Sequence, residues 1–243
     1  MSTVKNRQIV LDTETTGMNM VGVHYEGHRI IEIGAVEVIN RRLTGNNFHV
    51  YVKPDRLVDP EAFGVHGISD EFLNDKPSFS DIAAEFLNYI KGAELIIHNA
   101  PFDIGFMDYE FDKLKQGIGR TQDFCAITDS LVMARKQFPG KRNSLDALCG
   151  RFDIDNTKRT LHGALLDAEI LADVYLSMTG GQTALSFSAE AEQAANTGTL
   201  AQHKTVHTAG ELRVITANDI EQAEHDAYLD RIEKKSGHCL WRV

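Results

Sequence analysis

Cysteine is scarce in this chain: Cys125, Cys149 and Cys239 are too few and too widely spaced for a zinc motif, and their odd number leaves no paired framework. Reduced thiols in a cytoplasmic protein are the expectation. No run of about 18 apolar residues occurs, and the start MSTVKNRQ has no apolar signal core, which argues against membrane spanning and export. Positive charge is also short, with 25 Lys and Arg against 35 Asp and Glu and a net charge of -10. A free nucleic-acid binder normally needs a basic surface, so an acidic chain working on nucleic acid would gain from tethering to something that already holds it. The local cation pairs, Lys141 with Arg142 and Lys158 with Arg159, read equally well as solvated faces. No internal repeat is visible, and 243 residues suffice for one full core plus an extension.

What the sequence does contain is acid where apolar runs end. Asp12 and Glu14 follow Ile9, Val10 and Leu11 and lead into Thr15, Thr16 and Gly17. Alternation along a strand points residues i and i+2 the same way, so the two carboxylates face one volume and call for a cation. A second run, Leu95 to Ile97, passes through His98, Asn99, Ala100, Pro101 and Phe102 to Asp103. Pro101 suits a first helical turn, which fixes Asp103 in or beside that turn; a carboxylate there also simply complements the helix dipole. Asp167 lies in a strongly apolar helical stretch, where an unpaired carboxylate is costly unless a partner or metal holds it. His162, five positions earlier, is about 140° away around a helix, so the two converge only if His162 sits at the helix start. There, beside Gly163, a group that titrates near neutrality suits a general base, although a lone histidine reads as readily as a backbone hydrogen-bond partner.

The stretches DTETTG, HNAPFDIGF and LHGALLDA resemble, in order and context, those of the DEDDh family of 3′ to 5′ exonucleases. The family pattern of Asp-x-Glu, Asp and His-x4-Asp is complete in Asp12, Glu14, Asp103, His162 and Asp167. The likeness runs from about Gln8 to Gly181 and is greatest to the proofreading exonucleases of bacterial replicative polymerases. It implies an α/β, RNase H-like fold, a mixed sheet flanked by helices. It implies two divalent metal ions, Mg or Mn, held by Asp12, Glu14, Asp103 and Asp167, with His162 taking the proton of the attacking water and a nucleoside 5′-monophosphate as product. Hard oxygen ligands suit those metals, and a pair roughly 3.5 to 4 Å apart can serve both sides of a phosphodiester. The implied substrate is a single-stranded or frayed DNA 3′ end. Glu14 and Asp167 would touch it together with Glu61 and His66 of VDPEAFGVHGIS, while Glu61 as the cap of a short helix and His66 as a packing residue is the equal alternative. Met18 and Phe102 can stack on the terminal base or pack in the core.

Strands are expected at 8–12, 29–39, 48–52, 95–97 and 123–127, and helices at 78–90, 102–115, 128–136, 144–151 and 163–178. The catalytic domain should span 1–181. A flexible linker at 182–210, rich in Ala, Glu, Gln, Thr and Gly, opens with Gln182, Leu185 and Phe187, which resemble the short peptide that docks on a sliding clamp. The segment 211–243 resumes helical spacing after a cap at Asn218 or Thr216 and ends near Trp241, too short to fold alone, so it is expected to bind the catalytic subunit of the replicative polymerase, DNA polymerase III. A further small subunit could sit on the exonuclease domain. Two rivals share these residues: a DEDDh ribonuclease trimming RNA 3′ ends, which would not need the clamp-like peptide or the tail, and a noncatalytic adaptor between polymerase and clamp, which has no reason to keep buried acids.

Overall fold

A computed structural model describes residues 7–157, 159, 161–180, 217–239, 241 and 242. Two compact units divide the chain, Met1–Ala184 and Leu185–Val243. The linker peptide at Gln182, Leu185 and Phe187, and the Thr216 cap, lie outside the described residues.

The first unit is built on strands β1 (Arg7–Thr15), β2 (Ile30–Ile39), β3 (Arg42–Leu43), β4 (Phe48–Tyr51), β5 (Glu94–Ile97) and β6 (Ala126–Asp129). Their order is β3-β2-β1-β5-β6, with β4 also on β2. β1 runs antiparallel to β2 and parallel to β5, and β5 parallel to β6. β1 is central, which explains its apolar run: Ile9 and Leu11 face one core and Val10 the other. Helices α1 (Pro60–His66), α2 (Asp70–Leu73), α3 (Phe79–Ile90), α4 (Ala100–Lys113), α5 (Ser130–Gln137), α6 (Leu145–Phe152) and α7 (Ala164–Thr179) complete the unit. Phe79 and Phe86 of α3 pack with Phe106 and Phe111 of α4 over one sheet face. Leu148 of α6 and Leu171 and Val174 of α7 cover the other, giving a mixed sheet between helical layers.

The elements follow the sequence expectations with local differences. β1 continues to Thr15, three residues beyond the expected end, because pairing with β2 persists to Ile30 across an irregularity at Glu14 and Thr15. Asp12 and Glu14 therefore sit within a strand. β6 and α5 start later than expected, since Thr121–Asp123 forms a 3-10 turn and the Asp129 carboxylate accepts from Leu131 N and Val132 N, capping α5. The segment around Glu61 holds α1, the short helix that one of its two readings offered, with Asp59 rather than Glu61 at the cap, Pro60 in its first turn and Gly67 closing it at φ 71°.

Two features bring α7 against the sheet. Gly34 of β2, opposite Asp12, leaves the room: a Cβ there would stand 2.1 Å from Leu165 N and 2.2 Å from Ala164 C. Glu32, buried in the apolar run of β2, accepts from Ala164 N at 3.1 Å and so caps the helix. A half-buried pair braces the start of β2: Arg29 grips Glu110 of α4 through two hydrogen bonds of 2.8 and 2.7 Å.

In the second unit, α8 (Asp219–Ser236) begins where the sequence suggested, with Asn218 Oδ1 accepting from Ile220 N and Glu221 N and the Glu221 side chain returning to Asn218 N. Arg242 turns back to Asp230 and Glu233, and Trp241 is 81% exposed. Cys125, Cys149 and Cys239 are free thiols. Among the described residues, no helix is long and apolar enough to cross a membrane.

Candidate active site

Four carboxylates arrive from three elements. Asp12 and Glu14 come from β1, Asp103 from the first turn of α4 and Asp167 from the first turn of α7. Asn99, capping α4 with φ 70°, makes the sharp turn between β5 and α4 in a conformation that asparagine tolerates better than most residues. Thr13 Oγ1 donates to Asp103 Oδ1 at 2.7 Å and fixes that carboxylate. Glu14, Asp103 and Asp167 are buried. His162 sits just before α7, as convergence required, with Nδ1 3.3 Å from Asp167 Oδ2 and its side chain 46% exposed. Glu14, His162 and Asp167 each offer a ligand atom within 4.8 Å of the others.

Electrostatics mark the cluster as short of positive charge. Burial, then Asp103, Glu14 and Asp167, push the Asp12 carboxyl well above the usual range. Burial, followed by Glu32 and Asp167, pushes Glu14 up to about 8. Burial raises Asp103 to about 7 against hydrogen bonds that include that of Thr13. Asp167 goes the other way: burial raises it, but hydrogen bonds from Arg159 and His162 outweigh this and hold it low. The Glu14 Oε1 atom is buried without a hydrogen-bond partner among the described residues. An orphaned carboxylate oxygen among three further acids is a donor set made for hard divalent cations.

Arg159 is a residue whose place the sequence did not reveal. Rather than a solvated face, its side chain is only 8% exposed. Its Nε and Nη2 meet Asp167 at 2.5 and 2.8 Å, its Nη1 meets Asp146 at 2.8 Å, and its Nη2 lies 2.9 Å from His162 Nδ1. Glu32 and Thr13 were likewise missed. A Glu inside Ile30, Ile31 and Ile33 was the available signal for the first, since a buried acid needs a partner; nothing local pointed to the others.

Beside the acids lies a pocket of about 260 Å³ lined by Glu14, Met18, Glu61, Val65, His66 and Phe102, among others. Glu61 is an exposed first-turn residue of α1, while His66 is buried, with Nδ1 accepting from Ile68 N at 3.0 Å and its pKa lowered by burial. Both line this pocket together with Glu14. Phe102 stacks on His24 with ring centroids 5.3 Å apart, and Met18 is largely open.

The exonuclease family model RNase_T matches residues 9–175, and the chain belongs to this family. It is 69% identical to the DNA polymerase III subunit epsilon of Escherichia coli (strain K12) over 243 residues, covering 100% of both chains. The protein of the same name from Haemophilus influenzae is 60% identical over 97% of this chain and 94% of that one. A solved structure of Exonuclease X in complex with 5′ overhanging duplex DNA is 25% identical, with a TM-score of 0.55 over 72% of this chain and 92% of the other. Apo Exonuclease I, 17% identical, shares the fold with a TM-score of 0.59 over 73% of this chain and 43% of that one. The protein is an exonuclease with an RNase H-like fold.

Proposed function

We propose that the chain is the proofreading 3′ to 5′ exonuclease subunit of a bacterial DNA polymerase III, of the epsilon type, working in the cytoplasm on mispaired DNA 3′ ends. The observation that carries the catalytic part is the convergence of four acids, one with an unpartnered buried oxygen, beside His162 and an apolar pocket. The end-to-end likeness to proteins named subunit epsilon supports the polymerase part.

Asp12, Glu14, Asp103 and Asp167 would hold two divalent cations, Mg or Mn, which supply activation of water and stabilisation of the departing 3′ oxygen. His162 is the general base. Its Nδ1 lies 2.9 Å from Arg159 Nη2, which can only donate, so in this arrangement Nδ1 accepts; once Arg159 gives way, an Nδ1–H donates to Asp167 Oδ2, 3.3 Å away, and the lone pair on Nε2 takes the proton of the attacking water. Asp167 then stabilises the imidazolium. Met18, Val65 and Phe102 provide an apolar seat for the terminal base, with Glu61 and His66 at its rim to orient the nucleotide. Selectivity comes from the end: a mismatched terminus unpairs more cheaply and reaches the pocket more often.

The remaining parts divide by segment. Residues 1–181 form the exonuclease domain, 182–210 a linker whose Gln182, Leu185 and Phe187 dock on the sliding clamp, and 211–243 the segment that binds the polymerase catalytic subunit, with exposed Ile220, Tyr228 and Trp241 as apolar anchors. A further small subunit on the exonuclease domain remains part of the proposal.

The test is hydrolysis of 5′-labelled single strands of one sequence, as DNA and as RNA, in Mg, beside an Asp12→Ala, Glu14→Ala variant. Stepwise shortening of DNA from its 3′ end, absent in the variant, is the expected result. A strong preference for RNA contradicts the DNA reading, and no cleavage of either strand contradicts the nuclease reading.

A further inference from the structure

The stretch of chain that carries Phe102 and Asp103 also lines a second opening. Phe102 lines the apolar pocket and Asp103 belongs to the acid cluster, whereas His98 and Asn99, five and four residues before Asp103, line a cleft of about 570 Å³ with Arg135, Lys141, Asn143 and Ser144. In a chain of net charge -10, the residues lining this cleft include two permanent cations and no acid. Three other clefts carry acids: Glu14, Asp59 and Glu61 in one, Asp55 and Asp70 in a second, Asp108, Asp112 and Asp123 in a third. Arg135 and Lys141 make no ion pair within 4 Å among the described residues, and the adjacent Lys136 and Arg142 add two more cations without one.

The cleft is built rather than incidental. Asn143 Nδ2 donates to the carbonyls of Lys141 and Phe138 at 2.9 and 3.4 Å and shapes the loop that carries Lys141. Arg151 braces the same loop through Arg142 O and Asn143 Oδ1, with its guanidinium over the Phe138 ring. His98 Nδ1 is tied to Ser130 Oγ at 2.9 Å, and Arg135 is near enough to lower its pKa, after burial. The nearest acid, Asp129, is engaged in capping α5. Arg135, in the last turn of α5, also complements that helix dipole, but this accounts for neither Lys141 nor the lack of acids.

We infer that this cleft holds the phosphodiester backbone of the strand upstream of the nucleotide being removed. The inference rests on the exonuclease reading above. With the terminal base in the apolar pocket and the scissile phosphate at the acids, the strand continues away from that pocket, toward His98 and Asn99. Arg135 and Lys141 then pair with its next phosphates, while Asn99 and Ser144 offer neutral hydrogen-bond donors.

The test compares two substrates in the wild-type chain, in Arg135→Ala, Lys141→Ala and in a control of equal charge loss, Arg42→Ala, Lys91→Ala. One substrate is a single DNA strand of several nucleotides; the other is the p-nitrophenyl ester of thymidine 5′-monophosphate, which has no upstream phosphate. In the first variant KM for the strand should rise on the order of tenfold, and the slope of log KM against log salt should flatten by about 0.7 per lost contact, roughly 1.4 in all, with ester hydrolysis and Tm unchanged. Equal losses on strand and ester, an equal loss in the control, or an unchanged KM and salt slope would overturn the inference. Hydrolysis of the strand by the wild-type chain secures the underlying reading whatever the variants do, and its failure removes both.

Discussion

At the scale of single residues, the chemistry is carried by groups whose ordinary behaviour is altered by neighbours. His162→Ala should leave fold and metal binding intact while lowering hydrolysis on the order of a hundredfold or more; near-normal turnover in steady-state assays would remove His162 from the mechanism. The raised acids make a second prediction. Glu14 titrates near 8 in the folded, metal-free chain against an ordinary value of 4.5, and Asp103 near 7 against 3.8. Between each pair of values the folded state holds a proton that the unfolded state has released, so this contribution to stability is full at the lower value and lost as pH rises through the upper one. Below 6.5 the lowered His28, His66 and His98 work in the opposite sense, so the Tm of chelator-treated protein should fall between about pH 6.5 and about pH 8, and adding Mn at the low end of that window should release protons, measurable by calorimetry in buffers of different ionisation enthalpy. Asp167 acts in the opposite sense, and only below its ordinary value of 3.8, so it does not cancel the trend. The sequence made these acids legible because each ends an apolar run or interrupts an apolar helix. Arg159 was not legible, since its partners Asp146 and Asp167 lie 13 and 8 positions away and only the fold brings them together.

At the scale of elements, the site depends on how closely α7 meets the sheet. Gly34→Ala would set a methyl group 2.1 Å from the Leu165 amide, so the first turn of α7 must move and carry Asp167 with it. A displacement of this kind should cost on the order of a hundredfold in hydrolysis even where circular dichroism still reports a folded chain. Activity within a few fold of wild type would mean that the helix start is not the determinant. The Arg29–Glu110 pair is structural: Glu110→Ala leaves the half-buried Arg29 guanidinium with the exposed Asp55 as its remaining partner and should lower stability by about 1 to 3 kcal/mol in denaturant titration. The central strands and the long helices were legible from their apolar periods. The reach of β1 to Thr15 was not, because it depends on pairing with β2, and α1 was legible only as one of two equal readings of the segment around Glu61.

At the scale of the whole molecule, the sequence separates an editing unit from the segments proposed to tether it. Removing residues 211–243 should leave hydrolysis of a single strand unchanged and abolish co-purification with the polymerase catalytic subunit, while Leu185→Ala, Phe187→Ala should weaken clamp binding alone. Unchanged co-purification would move the polymerase contact elsewhere. The net charge of -10 fits a chain that receives its DNA from a partner rather than capturing it from solution. The most direct test of editing is the rate at which the last nucleotide leaves a 5′-labelled primer annealed to a template, with the 3′ end matched or mismatched. The account predicts removal of single nucleotides from the 3′ end, with the mismatched end shortened faster; equal rates for the two ends, or loss beginning at the 5′ end, would contradict it.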